Sequence, residues 1–206
     1  MLSKKIQNGE TNPLRSPKTH GGIRLFGNLK VMVVSALFCA LSIVLGKYLA
    51  FNITDSIRLS FENLPILMAG MFFGPVVGGV VGLAADLLGC MAVGYTPIPL
   101  VAVGGTLIGV VSGIVAWYVY PRKSEGLGSW GVYLPVYVAH VVGSILVKSV
   151  GLSLYNGIPL PITMGWRTLT YLVIAFAEGG LIMLLMKNKL FSGELQKLLV
   201  KKGGRK

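Results

Sequence analysis

Residues 63–121 read NLPILMAGMFFGPVVGGVVGLAADLLGCMAVGYTPIPLVAVGGTLIGVVSGIVAWYVYP, with Asp86 as the single charge. At about 1.5 Å of rise per helical residue, this stretch is long enough for about three crossings of a ~30 Å hydrocarbon core. Gly and Pro break it at Gly74-Pro75 and again at Gly94-Tyr95-Thr96-Pro97-Ile98-Pro99. The breaks predict a short helix ending near Phe73, a second over 75–93 and a third over 99–120. A rival reading runs 63–85 as one helix and gives five spans in the chain rather than six.

Outward from this stretch, 31–46 carries no charge and the apolar run continues past Lys47 to Phe51, a first span. Residues 130–154 are apolar except for His140 and Lys148, and 168–186 except for Glu178, two further spans. Of the 19 lysines and arginines, 15 lie in 1–30, in 122–123 and from 187 to the end. Basic residues collect on the cytoplasmic side of a membrane. Two basic termini on one side require an even number of spans, which selects six and places the 122–125 loop inside as well. The outward loops are then 52–60, 94–99 and 156–165, with Arg58 as their one basic residue. The expected fold is an all-α membrane protein of six transmembrane helices. It comprises a cytoplasmic tail over 1–29, a transmembrane domain over 30–187 and a basic cytoplasmic tail over 188–206, in a bacterial plasma membrane.

Composition supports this and removes other classes. The chain is 53% hydrophobic and 13% charged, and its mean hydropathy is +0.73. A soluble domain carries about 25% charged residues. The net charge of +12 sits in tails and loops without interleaved aromatics, which argues for the inner leaflet and against nucleic acid. The tail resembles no signal peptide, because no small-residue cleavage site ends a short apolar region. Cys39 and Cys90 lie in apolar runs without metal-ligand spacing, and His20 and His140 are far apart. No phosphate-binding loop, nucleophile elbow or metalloprotease motif is present, so the chain is read as no enzyme and as needing no cofactor.

Ionisable groups in a membrane are costly and mark a function or a buried pair. Here they are Lys47, Arg58, Glu62, Asp86, His140, Lys148, Arg167 and Glu178, with Asp55 in the first outward loop. Tyr133, Tyr137, His140, Ser144 and Lys148 follow one helical face, which Tyr155 extends outward; Arg167, Tyr171 and Glu178 follow another. Lys47, Lys148 and Arg167 are expected in the outer half, with Trp166 beside them. Cations with aromatics suit an anionic, flat, aromatic solute. The alternative is internal pairing, Arg58 with Glu62 at i,i+4 and Lys148 with Asp86 or Glu178. Small residues repeat every four positions at Ala36/Ala40, Gly70/Gly74/Gly78/Gly82 and Gly105/Gly109/Gly113, faces on which helix backbones approach closely. The glycine rows are expected to pack the bundle; the alanine pair packs it or meets a partner.

The run Ile57-Arg58-Leu59-Ser60-Phe61-Glu62-Asn63-Leu64-Pro65-Ile66 leads to Phe73-Gly74-Pro75-Val76-Val77-Gly78 and to Gly82-Leu83-Ala84-Ala85-Asp86-Leu87-Leu88-Gly89-Cys90. Together these resemble the substrate-binding S components of energy-coupling factor (ECF) vitamin transporters, most of all the folate-specific branch, over roughly 30–187. The resemblance implies a six-helix subunit that binds its vitamin from outside and docks on a separate T component with two ATP-binding subunits. It implies that Ala36 and Ala40, in an Ala-x-x-x-Ala face on the first helix, contact the T component, and the missing ATPase loop is then expected. Folate would present its glutamate carboxylates to Lys47, Arg58, Lys148 or Arg167, and its pterin donors to a carboxylate such as Asp86 or Glu178. Tyr95, Tyr155, Trp166 and Tyr171 would stack on its rings, and Glu62 would join the site. Asp86 reads equally as a structural anchor of its helix. Other readings are an S component for another solute (a queuosine precursor or pantothenate), a channel or exporter acting alone, and an intramembrane enzyme.

Overall fold

The computed structural model describes residues 29–54, 57–119 and 130–188. Within them lie six helical rods and one short hairpin. Helix α1 spans Leu29–Ile43 and continues as a π-helical turn over Val44–Tyr48. Strands β1 (Phe51–Thr54) and β2 (Ile57–Leu59) pair antiparallel, with Asn52 opposite Arg58. Then come α2 (Asn63–Phe73) and α3 (Pro75–Ala92). Helix α4 spans Pro99–Ile114 with a π-helical end over Val115–Val119. Helix α5 runs through Trp130–Ala139, a π segment over His140–Val147, and Lys148–Asn156; α6 spans Leu160–Lys187.

The break at Gly74 is a reversal, which removes the single-helix reading of 63–85. Gly74 has φ +93°, a conformation that L side chains rarely adopt, and a Cβ there would lie 2.9 Å from the Trp117 ring. Trp117 Nε1 donates to Met71 O at 2.9 Å, tying α4 to the end of α2. About Gly74 the chain folds back: a Cβ on Gly78 would lie 2.5 Å from the Gly70 Cα, and Gly82 faces Ile66. Every residue of α2 is buried. A helix apolar on all sides is one wrapped by others. At 11 residues it is about 16 Å long, so it falls short of a ~30 Å core. Five described helices are long and apolar enough to cross a membrane, and α2 is the sixth, buried helix of the bundle.

The glycine rows do what the sequence predicts. A Cβ on Gly109 would collide with Gly78 O, one on Gly82 with Gly105 O, and one on Gly113 would lie 2.5 Å from Pro75 N. Helices α3 and α4 therefore touch backbone to backbone. Gly109→Val is expected to destabilise the bundle by about 3 kcal/mol or more, because the carbonyl it strikes cannot rotate away. A lowered melting temperature in detergent, or loss of monodisperse protein, checks this.

The antiparallel order continues around the bundle. Gly143 of α5 meets Gly104 and Ile108 of α4, and Gly179 of α6 meets Tyr133 of α5. The first described residues of α1 and the last of α6 consequently lie at one end, with the ends of α4 and α5 that flank 120–129. The β1–β2 hairpin, the turn at Gly94 and the turn at Gly157 lie at the other. Leu37, Leu169, Phe176 and Leu184 point outward and are more than half exposed. Such rows suit hydrocarbon, not water. The segment 52–60, read from the sequence as a loop, holds a hairpin, and α1 stops at Tyr48 rather than Phe51. Residues 1–28 and 189–206 of the two tails, residues 120–129, and residues 55 and 56, Asp55 among them, lie outside the described residues.

Candidate functional site

A cavity of about 700 Å³ opens at the hairpin end, between α1, α3, α5 and α6. Of the residues expected to bind a ligand, Lys47, Glu62, Asp86, Tyr95, Lys148, Tyr155, Trp166, Arg167 and Tyr171 line it. Six stretches of the chain bring them together, the turn between α3 and α4 carrying Tyr95. The π turn of α1 carries Lys47, and the approach to α2 carries Glu62. Helix α3 supplies Asp86, α5 supplies Lys148, and α6 supplies Arg167 and Tyr171.

Lys148 is 3% exposed, and its Nζ lies 3.4 Å from Glu62 Oε1. The sequence offered Asp86 or Glu178 as its partner; the structure gives it Glu62. The i,i+4 argument that paired Arg58 with Glu62 required both on one helix, whereas Arg58 is in β2 and Glu62 in the turn before α2. The fold-back about Gly74 sets Glu62 opposite Asp86. A second, water-sized hollow is walled by Lys47, Glu62, Asp86 and Lys148. Asp86 Oδ2 is buried there without a hydrogen-bond partner. Ser42 donates to Glu62 O at 2.6 Å, holding this turn against α1.

The opposite wall is built by α5 and α6. Within the π segment of α5 the Lys148 N–H reaches back five residues to Gly143 O. The return to four-residue bonding leaves one carbonyl without a helical donor, and Ser144 O takes Arg167 Nε–H at 2.9 Å. Arg167 Nη2 donates to Tyr171 OH at 3.3 Å, and its guanidinium lies 5.0 Å from the Tyr171 ring centre. Five N–H donors make up a guanidinium, so three remain for a ligand. Tyr95, Tyr155 and Trp166 are each at least half exposed at the mouth.

One expected site residue stands apart from the cavity, and one cannot be placed against it. Glu178 is fully buried away from the cavity lining, and its Oε2 shares a hydrogen bond with His140 Nε2 at 2.6 Å. The Arg58 side chain lies outside what the structure describes. The face read along α5 divides: Tyr133 and Tyr137 pack below, Tyr133 stacking on Phe176 at 5.8 Å, while Lys148 and Tyr155 reach the cavity. Sequence reasoning missed Ser60, Cys90, Leu152, Ile162 and Thr170 in the lining. Only their position on cavity-facing turns identifies them, since uncharged residues fill every helix here. Ala36 and Ala40 are exposed on α1, facing away from the bundle.

Residues 30–191 match the family described as ECF transporter, substrate-specific component. The folate transporter FolT of Clostridium novyi is 29% identical over 132 residues, covering 63% of this chain and 72% of its own. An uncharacterised Mycoplasma pneumoniae protein, the MG313 homologue, is 26% identical over 133 residues, and the match spans 46% of its length. The fold is similar to that in a crystal structure of FolT bound with folic acid, with TM-score 0.60 at 23% identity over 78% of this chain and 94% of that one. It is also similar to the S component of a bacterial ECF transporter, with TM-score 0.53 at 24% identity over 84% and 98%. A cavity open at one end of a bundle of apolar helices, with the family match over most of the chain, settles its place: it is an integral membrane protein of the ECF transporter substrate-specific components.

Proposed function

We propose that this chain is the folate-binding subunit of an ATP-driven ECF importer, working with a separate T component and two ATP-binding subunits. The observation that carries the reading is the 700 Å³ cavity with Lys47, Lys148 and Arg167 in its walls and aromatics at its mouth. The Clostridium novyi relative named as a folate transporter supports the choice of ligand. Folate carboxylates meet Arg167, whose fork suits them, together with Lys47, Lys148 and Arg58. Asp86 accepts from the pterin edge, Glu62 holds Lys148, and Tyr95, Tyr155, Trp166 and Tyr171 lie against the rings. The hairpin end faces outside, and the tails over 1–29 and 188–206 face the cytoplasm beside an anionic inner leaflet.

Ala36 and Ala40 belong to the T-component contact in this reading. Exposed small residues at i,i+4 admit a second backbone, and the bundle itself leaves them uncovered. Ala36→Leu with Ala40→Leu is expected to leave folate binding intact and to reduce ATP-driven uptake to background. Radiolabelled folate uptake into cells, beside binding to the purified variant, checks the separation.

The function as a whole is tested in liposomes. The chain alone is expected to bind folate without accumulating it. Accumulation requires the T component, both ATPases and ATP. Uptake by the single chain without ATP would instead support a channel or exporter acting alone.

A further inference from the structure

Beneath the cavity wall lies a buried pair that the proposed binding role does not use. His140 is 1% exposed and Glu178 is fully buried. His140 Nε2 lies 2.6 Å from Glu178 Oε2, and Nδ1 lies 3.1 Å from Ser144 Oγ. Glu178 Oε1 has no hydrogen-bond partner. The pair does not reach the cavity, but Arg167 and Tyr171 above it do. Ser144 holds Arg167 through its carbonyl, Arg167 holds Tyr171 through its hydroxyl, and the Tyr171 ring lies 5.0 Å from the His140 ring.

The contacts close a loop: Glu178 to His140, His140 to Ser144 and Tyr171, and both of these to Arg167. A 2.6 Å hydrogen bond to the Glu178 carboxyl group, with a second contact at Nδ1, fixes the rotation of the imidazole. The ring then fixes the Tyr171 plane from below, and the Ser144 carbonyl fixes the guanidinium from the side. We propose that His140 and Glu178 are positioning residues that hold Arg167 and Tyr171 in the orientation from which they bind the ligand, and so set its affinity without touching it. A carboxylate in the apolar interior is expensive, and this one sits where it orients the one guanidinium among the described cavity-lining residues. The use of folate as probe rests on the reading proposed above.

Folate affinity of the purified full-length protein is compared for wild type, Glu178→Ala, Glu178→Gln, Arg167→Ala and the double variant Arg167→Ala/Glu178→Ala. Groups acting through one another give non-additive effects. Glu178→Ala is expected to weaken binding about 10-fold, while Glu178→Gln, which keeps an acceptor for His140, stays within about threefold of wild type. In the Arg167→Ala background, Glu178→Ala should cost clearly less than its 10-fold effect in the wild type, because only the orientation of Tyr171 is left to lose. Additive losses in the double variant overturn the proposal.

A ligand-free arm keeps it decidable. The chain has two histidines, His20 and His140, so the ring nitrogens are readily assigned by ¹⁵N-histidine resonance. Arg167→Ala is expected to shift the His140 signals in the absence of folate. Unchanged signals contradict the proposal, whatever the ligand proves to be and whether or not Glu178→Ala folds. Failure of the wild type to bind folate overturns the choice of ligand instead, and the resonance arm then decides the positioning role.

Discussion

Arg167→Ala is expected to weaken folate binding by about 100-fold or more, with little loss of thermal stability. The guanidinium keeps three donors after its contacts to Ser144 O and Tyr171 OH. Hydrogen bonds to a charged group contribute about 1.5–3 kcal/mol each, and a bidentate carboxylate contact uses two, which gives the stated factor. The folded state loses the bonds to Ser144 O and Tyr171 OH, but the space the side chain vacates joins the cavity that Arg167 lines, so water can take its place. Arg167→Lys should recover little of the affinity. An ammonium restores the charge but neither the fork nor the planar contact with Tyr171. Titration of each variant with folate, alongside thermal melting in the same detergent, separates affinity from stability.

Lys148→Met is expected to lower both. Lys148 is 3% exposed and paired with Glu62, a carboxylate about one-quarter exposed. Removing one partner of a buried pair costs roughly 3–5 kcal/mol, because the other is left without compensation. Partial exposure of Glu62 puts the cost here near the lower bound, about 3 kcal/mol. Asp86 deepens the effect, since Glu62 and Asp86 would share the hollow with Lys47 as the remaining cation among the residues lining it. The double variant Lys148→Met/Glu62→Gln also removes the carboxylate charge that Lys148 balanced and should restore most of the stability. Binding should stay weak, because no ammonium remains on α5 to meet the ligand. Full recovery of binding in the double variant would make the pair purely structural. The sequence posed these same two roles for Lys148, and this comparison of stability with affinity resolves them.

Much of the fold was legible because hydrocarbon imposes a simple rule on sequence. Charge must be absent from a span, and Gly74-Pro75 must interrupt one. The reversal at Gly74 is where the structure turns, and Gly78, Gly82, Gly105 and Gly109 form the close contact that their spacing predicts. The hairpin over 51–59 was not legible. Its strands are three and four residues long, too short for alternation to register. Nor were the π segments at Val44–Tyr48 and His140–Val147, because no residue type signals a shift from four-residue to five-residue bonding. That shift matters to the site, since it is coupled to the carbonyl that holds Arg167.

The candidate site was legible by charge and aromaticity, and less so by partner. Residues 47, 62, 86, 148 and 167 were chosen because a charge in lipid demands a reason, and they converge on one cavity. Which charges pair depends on the fold-back about Gly74, which places Glu62 beside Lys148 across 86 positions. Glu178 was drawn by the same rule and sits one layer below, where His140 accounts for it. A buried charge in a membrane helix marks a site or the support of a site, and spacing along one helix cannot distinguish them.

The most direct measurement is calorimetric titration of the purified wild-type chain with folate in detergent, with pantothenate and riboflavin as controls. Tight one-to-one binding of folate, and of neither control, is the predicted result. Binding of a control in place of folate, or of none of the three, would contradict the folate assignment while leaving the family and its architecture standing.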